Sequence, residues 1–229
     1  MKWLFDFLFK SSIGRKVVMS LSGIFLMLFL IVHLLGNFQL MMDDEGMQFN
    51  MYTYFMTHNP VIKIISYTLY FTILLHTFQG IYLAWENRKA KGTGYAIKTN
   101  INKSFFAKYM IHLGIIIFIF LMIHMYQFWL QMKLGNLPMV QYPGKDHLYK
   151  DLYTPVLDAF KNLPYVIFYV ISMIVLAMHL FHGFHSAFQS MGLNHKKYNL
   201  LIKWLGILYA ILIPLGFSIL PVYIYFIQS

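Results

Sequence analysis

Hydrophobic positions along this chain run in long blocks instead of alternating with polar ones. Five stretches, 17–42, 64–85, 109–132, 162–195 and 204–229, contain no Asp, Glu, Lys or Arg. About 20 apolar residues rising 1.5 Å each cross the hydrocarbon core of a bilayer, and every one of the five is longer than that. Each stretch therefore predicts one transmembrane helix, over about 17–40, 61–85, 109–132, 164–191 and 200–227. The expected fold class is an all-α integral membrane protein, with residues 1–229 forming one domain that begins with an interfacial arm over 1–15. Within the arm, Trp3, Phe5, Phe7 and Phe9 surround Asp6 between Lys2 and Lys10, which suits a short helix in the interface. The first span is expected to be retained, because its apolar run is too long for a secretory signal and no small-x-small cleavage site follows it. Connections are expected to be short loops apart from 133–163, where Pro138, Pro143-Gly144 and Pro155 break regular structure and 151–161 could form a surface helix turn.

Composition agrees with that pattern, since 59% hydrophobic and 11% charged is too apolar for a water-exposed surface. There is no cysteine, so neither a disulfide nor a Cys-ligated zinc or iron–sulfur cluster is available, and metal chemistry falls to the ten histidines or to an imported cofactor. The net charge of +10 is unevenly placed. The N-terminal arm and the loops at 86–108 and 195–203 hold thirteen Lys/Arg against Asp6 and Glu86, while the other two loops hold five against six acids. By the positive-inside rule the N-terminus and both basic loops are expected in the cytoplasm and the C-terminus in the periplasm. Nucleic acid is excluded as a partner because no soluble segment is long enough to form a basic domain. Anionic headgroups of the lipid bilayer, or a cytoplasmic protein, fit the basic face.

An imidazole in the middle of a span is costly and marks a functional candidate. His33 lies in the first span, His76 in the second, His124 in the third, and His179, His182 and His185 in the fourth; the fifth has none. His112, His58, His147 and His195 fall at boundaries or in loops. Counted from Lys16 and Lys108, His33 and His124 both come between four and five turns into their spans, at one depth near the periplasmic side. Counted from Pro60 and Pro164 on the opposite side, His76 and His179 also come between four and five turns in, at a second depth near the cytoplasm. Four helices thus offer two histidine pairs at two levels, separated by about half to two-thirds of the ~30 Å core. Neutral imidazole ligates iron well, and a haem between helices needs one imidazole on each face. The segments starting at His76 and His179 also share H-x-x-x-G, and Gly80 and Gly183 on the histidine's own face would clear room for a flat ring. Such glycines equally serve close helix packing. His182 is only about 60° from His179 around the helix and competes with it as ligand, while His185 could hydrogen-bond a haem propionate or a quinone. Zinc is disfavoured because no carboxylate lies in any charge-free stretch. A proton-coupled transporter is disfavoured for the same reason.

The run from Ser22-Gly23 through His33-Leu34, the run Leu75-His76-Thr77-Phe78-Gln79-Gly80, the run from Gly114 through His124-Met125-Tyr126, and His179-x-x-x-Gly183 ending at Met191-Gly192 resemble the dihaem cytochrome b membrane anchor of succinate dehydrogenase and fumarate reductase, of the single-polypeptide, five-helix type. The resemblance extends from Arg15 to the fifth span. It implies two haem b groups, one held by His76 and His179 and the other by His33 and His124, and it selects His179 over His182. It further implies a flavoprotein subunit and an iron–sulfur subunit as partners in the respiratory chain and tricarboxylic acid cycle. Exchange of electrons with membrane quinone, expected to be menaquinone, would take place in the bacterial inner membrane. Candidates for quinone or proton contact are Asp43, Glu45, Gln39, Gln127 and Tyr54. Other readings are the cytochrome b of a nitrate reductase or hydrogenase, and a haem-free scaffold or transporter.

Overall fold

The computed structural model describes residues 2–90, 105–193 and 195–228; most of the basic loop expected between the second and third spans lies outside them. Five helical segments are long and apolar enough to cross a membrane: Ser12–Met41, Pro60–Ala90, Lys108–Leu134, Leu163–Ser190 and Lys196–Ile227. Only 11% to 33% of the most apolar window of each is buried against protein, so most of its hydrophobic surface faces outward. In water such a surface would aggregate, whereas in lipid it needs no cover, which makes this a multi-pass membrane protein.

The elements follow in chain order. Helix α1 (Lys2–Lys10) spans the arm expected at the interface and folds against α2 (Ser12–Asn37). After a 3-10 turn at Phe38–Met41 come α3 (Met47–His58), α4 (Pro60–Ala90) and α5 (Phe105–His124). A π-helical turn, Met125–Leu130, and α6 (Gln131–Leu134) complete the third span. Strands β1 (Met139–Gln141) and β2 (Leu148–Lys150) form an antiparallel hairpin, followed by α7 (Tyr153–Phe160), α8 (Leu163–Ser190) and α9 (Lys196–Tyr223), which closes in a second π turn, Ile224–Gln228. Ser11 caps α2 by accepting from the Gly14 amide at 2.9 Å, and Asn162 caps α8 with Pro164 in its first turn, where no amide is needed. Helices α2, α4, α5 and α8 form a closed ring of four neighbours, and α9 packs outside it against α8 and α2. Gly206 lets α9 approach until an added Cβ would stand 2.8 Å from the Phe184 ring. The Tyr209 hydroxyl donates to the Met27 carbonyl at 2.6 Å, fixing α9 on α2.

Two connections expected as loops are structured. Residues 47–58 form helix α3, whose amide ends are held by Asp44, accepting from Gly46 at 3.1 Å and Gln48 at 3.0 Å. Its mixed composition leaves no long apolar run, so a search for such runs misses it. In 133–163 the prolines punctuate structure without abolishing it. Pro143-Gly144 lies in the hairpin turn, with Gly144 at φ 71, and Pro155 sits in the first turn of α7. Together α3, the hairpin and α7 make a cap over the end of the bundle remote from α1. Its hub is Asn50, 1% exposed, which donates to the Tyr142 hydroxyl at 2.7 Å and Asp151 at 3.1 Å and accepts from the amides of Leu152 and Tyr153 at 3.0 and 3.1 Å. Beneath the cap Leu40, Phe49, Phe128, Phe160, Tyr169 and Ile224 form a buried cluster.

Candidate functional site: two histidine pairs

Each helix of the ring brings one histidine inward. His76 on α4 faces His179 on α8, with ring centres 6.4 Å apart and planes at 67°. His33 on α2 faces His124 on α5, with ring centres 5.8 Å apart and planes at 80°. The levels can be read from cross-helix contacts. His76 meets Ser22 on α2, eleven residues before His33, and His179 lies beside Gly114 on α5, ten residues before His124. Both counts put the layers about 15 Å apart at 1.5 Å per residue. His182 and His185, by contrast, line a groove between α8 and α9 outside the ring.

Haem ligation uses an imidazole with a bare Nε2, and an acceptor at the protonated Nδ1 orients the ring and raises its basicity. At His76, Ser22 lies 3.0 Å from Nδ1, and the single hydroxyl proton of Ser22 goes to the Met19 carbonyl at 2.9 Å. With its proton on the Met19 carbonyl, the serine oxygen accepts from a protonated Nδ1, the tautomer that leaves Nε2 bare. At His124, Nδ1 lies 3.0 Å from the Tyr169 hydroxyl, which lies 3.1 Å from the Tyr165 hydroxyl, which bonds to Gln127 Oε1. Each hydroxyl has one proton, and the carbonyl oxygen of Gln127 ends the chain as an acceptor. Tyr165 has one proton for two acceptors, Gln127 Oε1 and the Tyr169 hydroxyl; with that proton on Gln127, Tyr169 can donate to Tyr165 and accept from His124 Nδ1. His33 has no firm side-chain partner: Asn37 Nδ2 stands 3.4 Å from both its ring nitrogens and donates instead to the His33 carbonyl at 2.7 Å. His179 Nδ1 is buried without a partner.

Ring separation is the second test of fit. With a metal–imidazole bond of about 2 Å on each side, two rings gripping one iron have centres about 6 Å apart, close to both observed values. Space is the third. An added Cβ at Gly23 would stand 3.3 Å from His76 Cε1, and one at Gly114 would stand 3.6 Å from His179 Cε1. Gly80 and Gly183, singled out by sequence, carry the methyl ends of Met19 and Met110 at 3.3 and 3.5 Å, which are flexible and easily moved. The other pair is walled by Phe29, Phe217, Phe120 and Phe128, at ring distances of 5.2 to 5.9 Å. On these grounds the residues present fit two bis-histidine haems. Among the described residues no three of His, Cys, Asp or Glu converge, which gives a tetrahedral zinc site no ligand set.

The quinone and proton candidates separate. Gln127 lines a cavity of about 500 Å³ with Asp158, Asn162 and Tyr165, so the hydrogen-bonded chain from His124 opens there. Asp43 and Glu45 are exposed on the turn before α3, with Glu45 at φ 52. Burial, reinforced by these and neighbouring carboxylates, raises the hydroxyls of Tyr142 and Tyr153 above the ordinary tyrosine range, although the Asn50 bond opposes the rise at Tyr142. The acids thus belong to the cap. Tyr54 is stacked on His58 and packed against His147, also in the cap, with ring centres 4.0 and 4.4 Å away, and Gln39 lies in the 3-10 turn. Tyr165, Tyr169 and Asp158 escaped sequence reasoning. A signal existed, for Tyr169 comes ten residues before His179 on α8 and so stands level with His33 and His124.

Replacing Tyr169 by phenylalanine should remove the hydroxyl beside His124 Nδ1 and, if His124 holds a haem, make the imidazole less basic and raise that haem's midpoint potential. The expected shift is on the order of 40 mV, the equivalent of one neutral hydrogen bond. Ser22→Ala would instead shift a haem held by His76, and a redox titration showing both variants acting on one centre would refute the pairing.

Comparison with models of protein families, with curated proteins and with solved structures finds no match to this chain.

Proposed function

We propose that this chain is the membrane anchor and electron-transfer subunit of a succinate:quinone oxidoreductase, binding two haem b groups and meeting membrane quinone. The observation that carries the reading is the pairing of four histidines from four helices at two levels. The assignment to succinate dehydrogenase or fumarate reductase rests on the resemblance of the histidine-bearing runs. Bis-histidine haem iron supplies one-electron transfer, and two such centres bridge the bilayer.

The chain's own residues have distinct tasks. His76 and His179 hold one group and His33 and His124 the other. Ser22 and Tyr169 orient a ligand in each pair. The phenylalanines around His33 and His124 keep water from that pair. Gln127 and Tyr165 offer an amide and a hydroxyl to a quinone carbonyl in the cavity beside them, which Asp158, ion-paired with Lys161 at 2.8 Å, also lines. The basic face, cytoplasmic by the positive-inside rule, suits docking of an iron–sulfur subunit and a flavoprotein subunit.

A reduced-minus-oxidised spectrum of the purified protein, with haem quantified per chain, should show a b-type band and two haems. Absence of the band would leave a haem-free scaffold or transporter. Co-purification with a covalent-flavin protein should separate this enzyme from a nitrate reductase or hydrogenase, whose cytochromes b accompany other subunits.

A further inference from the structure

Outside the four-helix ring, between α8 and α9, lies a cavity of about 320 Å³ lined by Phe181, His182, His185, Lys203, Gly206 and Ile207. Three of these side chains carry N–H donors and the rest are apolar. The two histidines are three residues apart and so adjacent on one side of α8, and Lys203 reaches the same space from α9. None of the three is used by the histidine pairs within the ring.

Lys203 is unusually placed. It follows Lys196, the first residue of α9, by seven positions, which sets its backbone about 10 Å deeper along the helix. Next to it Trp204 is 61% exposed, and Leu205 and Leu208 are 48% and 54% exposed, so this flank of α9 faces lipid. A Trp beside a Lys at this depth marks the zone between headgroups and acyl chains. The chain supplies no counter-charge. The only acids at this end of the bundle are Asp6 and Glu86. Asp6 is paired with Lys10 at 2.6 Å and Glu86 with Arg15 at 2.9 Å. Among the described residues no carboxylate pairs with Lys203.

We infer that this cavity binds the phosphate of an anionic phospholipid, held by Lys203, His182 and His185, with an acyl chain running along Phe181 and Ile207. The charge is complementary, since the Lys203 cation flanked by two imidazole N–H donors suits an anion. Depth selects a lipid over a protein carboxylate, because a lipid phosphate already sits at this level beside an apolar wall, whereas a docking subunit would have to enter the bilayer. A basic pocket between transmembrane helices near the headgroups is a recognised setting for such binding. The bound lipid would join α8 to α9 near the short connection between them. This inference does not depend on the haem reading.

The test uses the full chain in mild detergent, titrated with phosphatidylglycerol or phosphatidylcholine and read by native mass spectrometry and by Tm. Phosphatidylglycerol should bind and raise the Tm, and phosphatidylcholine should do so far less. The double variant K203Q/H185Q should weaken phosphatidylglycerol binding about tenfold. K203R should keep it, and K196Q, a charge on the same helix outside the cavity, should leave it unchanged. Equal binding of both lipids, equal weakening by K196Q, or undiminished binding by the double variant would each overturn the proposal. So would inorganic phosphate raising the Tm as much as the lipid does. A co-purifying protein lost in K203Q while lipid is retained would assign the cavity to a protein carboxylate and overturn it as well. If the double variant fails to fold, the lipid selectivity of the unaltered chain still decides.

Discussion

Changing His76 or His179 to alanine is expected, on the proposed dihaem reading, to leave the purified protein with one haem instead of two, and changing His33 or His124 should remove the other one. Each iron would be gripped by two rings from different helices, so loss of either ring removes half of the axial bonding. The two levels stand about 15 Å apart along the helices, beyond the roughly 7–10 Å within which substitutions ordinarily couple. Among the described residues the contacts of the two pairs also differ, with Ser22, Gly23 and Gly114 around one pair and Phe29, Phe120, Phe128, Phe217 and Tyr169 around the other. The measurement is haem content per chain together with a redox titration that resolves the remaining centre. Equal loss of both haems from a single substitution, in a protein whose melting temperature is unchanged, would sink the assignment. His182→Ala should leave both haems in place, because that side chain lines the α8–α9 groove.

The second large effect is expected far from the histidines. Asn50→Ala should destabilise the cap by about 3 kcal/mol, since two backbone amides lose their acceptor at a buried site and each such loss costs about 1–3 kcal/mol. The amides belong to Leu152 and Tyr153, where the chain leaves β2 and enters α7, and the same substitution frees Tyr142 and Asp151 from the side chain that joins them. Tyr142→Phe removes a single bond and should cost about 1 kcal/mol. Thermal unfolding and the rate of tryptic cleavage at Lys145 and Lys150 report on this region directly. Unchanged melting and unchanged cleavage in Asn50→Ala would show that the hub does not hold the cap. Because Phe128 and Tyr169 lie in the cluster beneath the cap, a loosened cap should also broaden the redox transition of the centre that His33 and His124 would hold.

Much of the architecture was legible before any coordinates. Hydropathy follows run length, and a bilayer imposes a fixed thickness, so the five spans could be counted. A helix advances by a constant rise, so a histidine's position in its span gives its depth. His33 therefore falls level with His124, and His76 with His179, in the sequence as in the structure. Direction around the helix axis was not legible in the same way. His179 and His182 differ by only about 60° around the axis, and the choice between them depends on where the neighbouring helices stand, which run length does not encode. The structure turns His179 towards His76 and His182 towards α9.

What the sequence determined by itself is thus the number of spans, their alternation across the membrane and the two depths of the histidines, because each follows from local composition and a fixed helical rise. What only the tertiary structure decided is which side chains meet at those depths. The acceptors Ser22 and Tyr169, the glycines at 23 and 114, the cavity beside Gln127 and Asp158, and the Asn50 hub all join residues distant in the chain. Such contacts depend on how each helix is rotated against its neighbours, and packing settles that rotation through many small side-chain fits that no single segment carries.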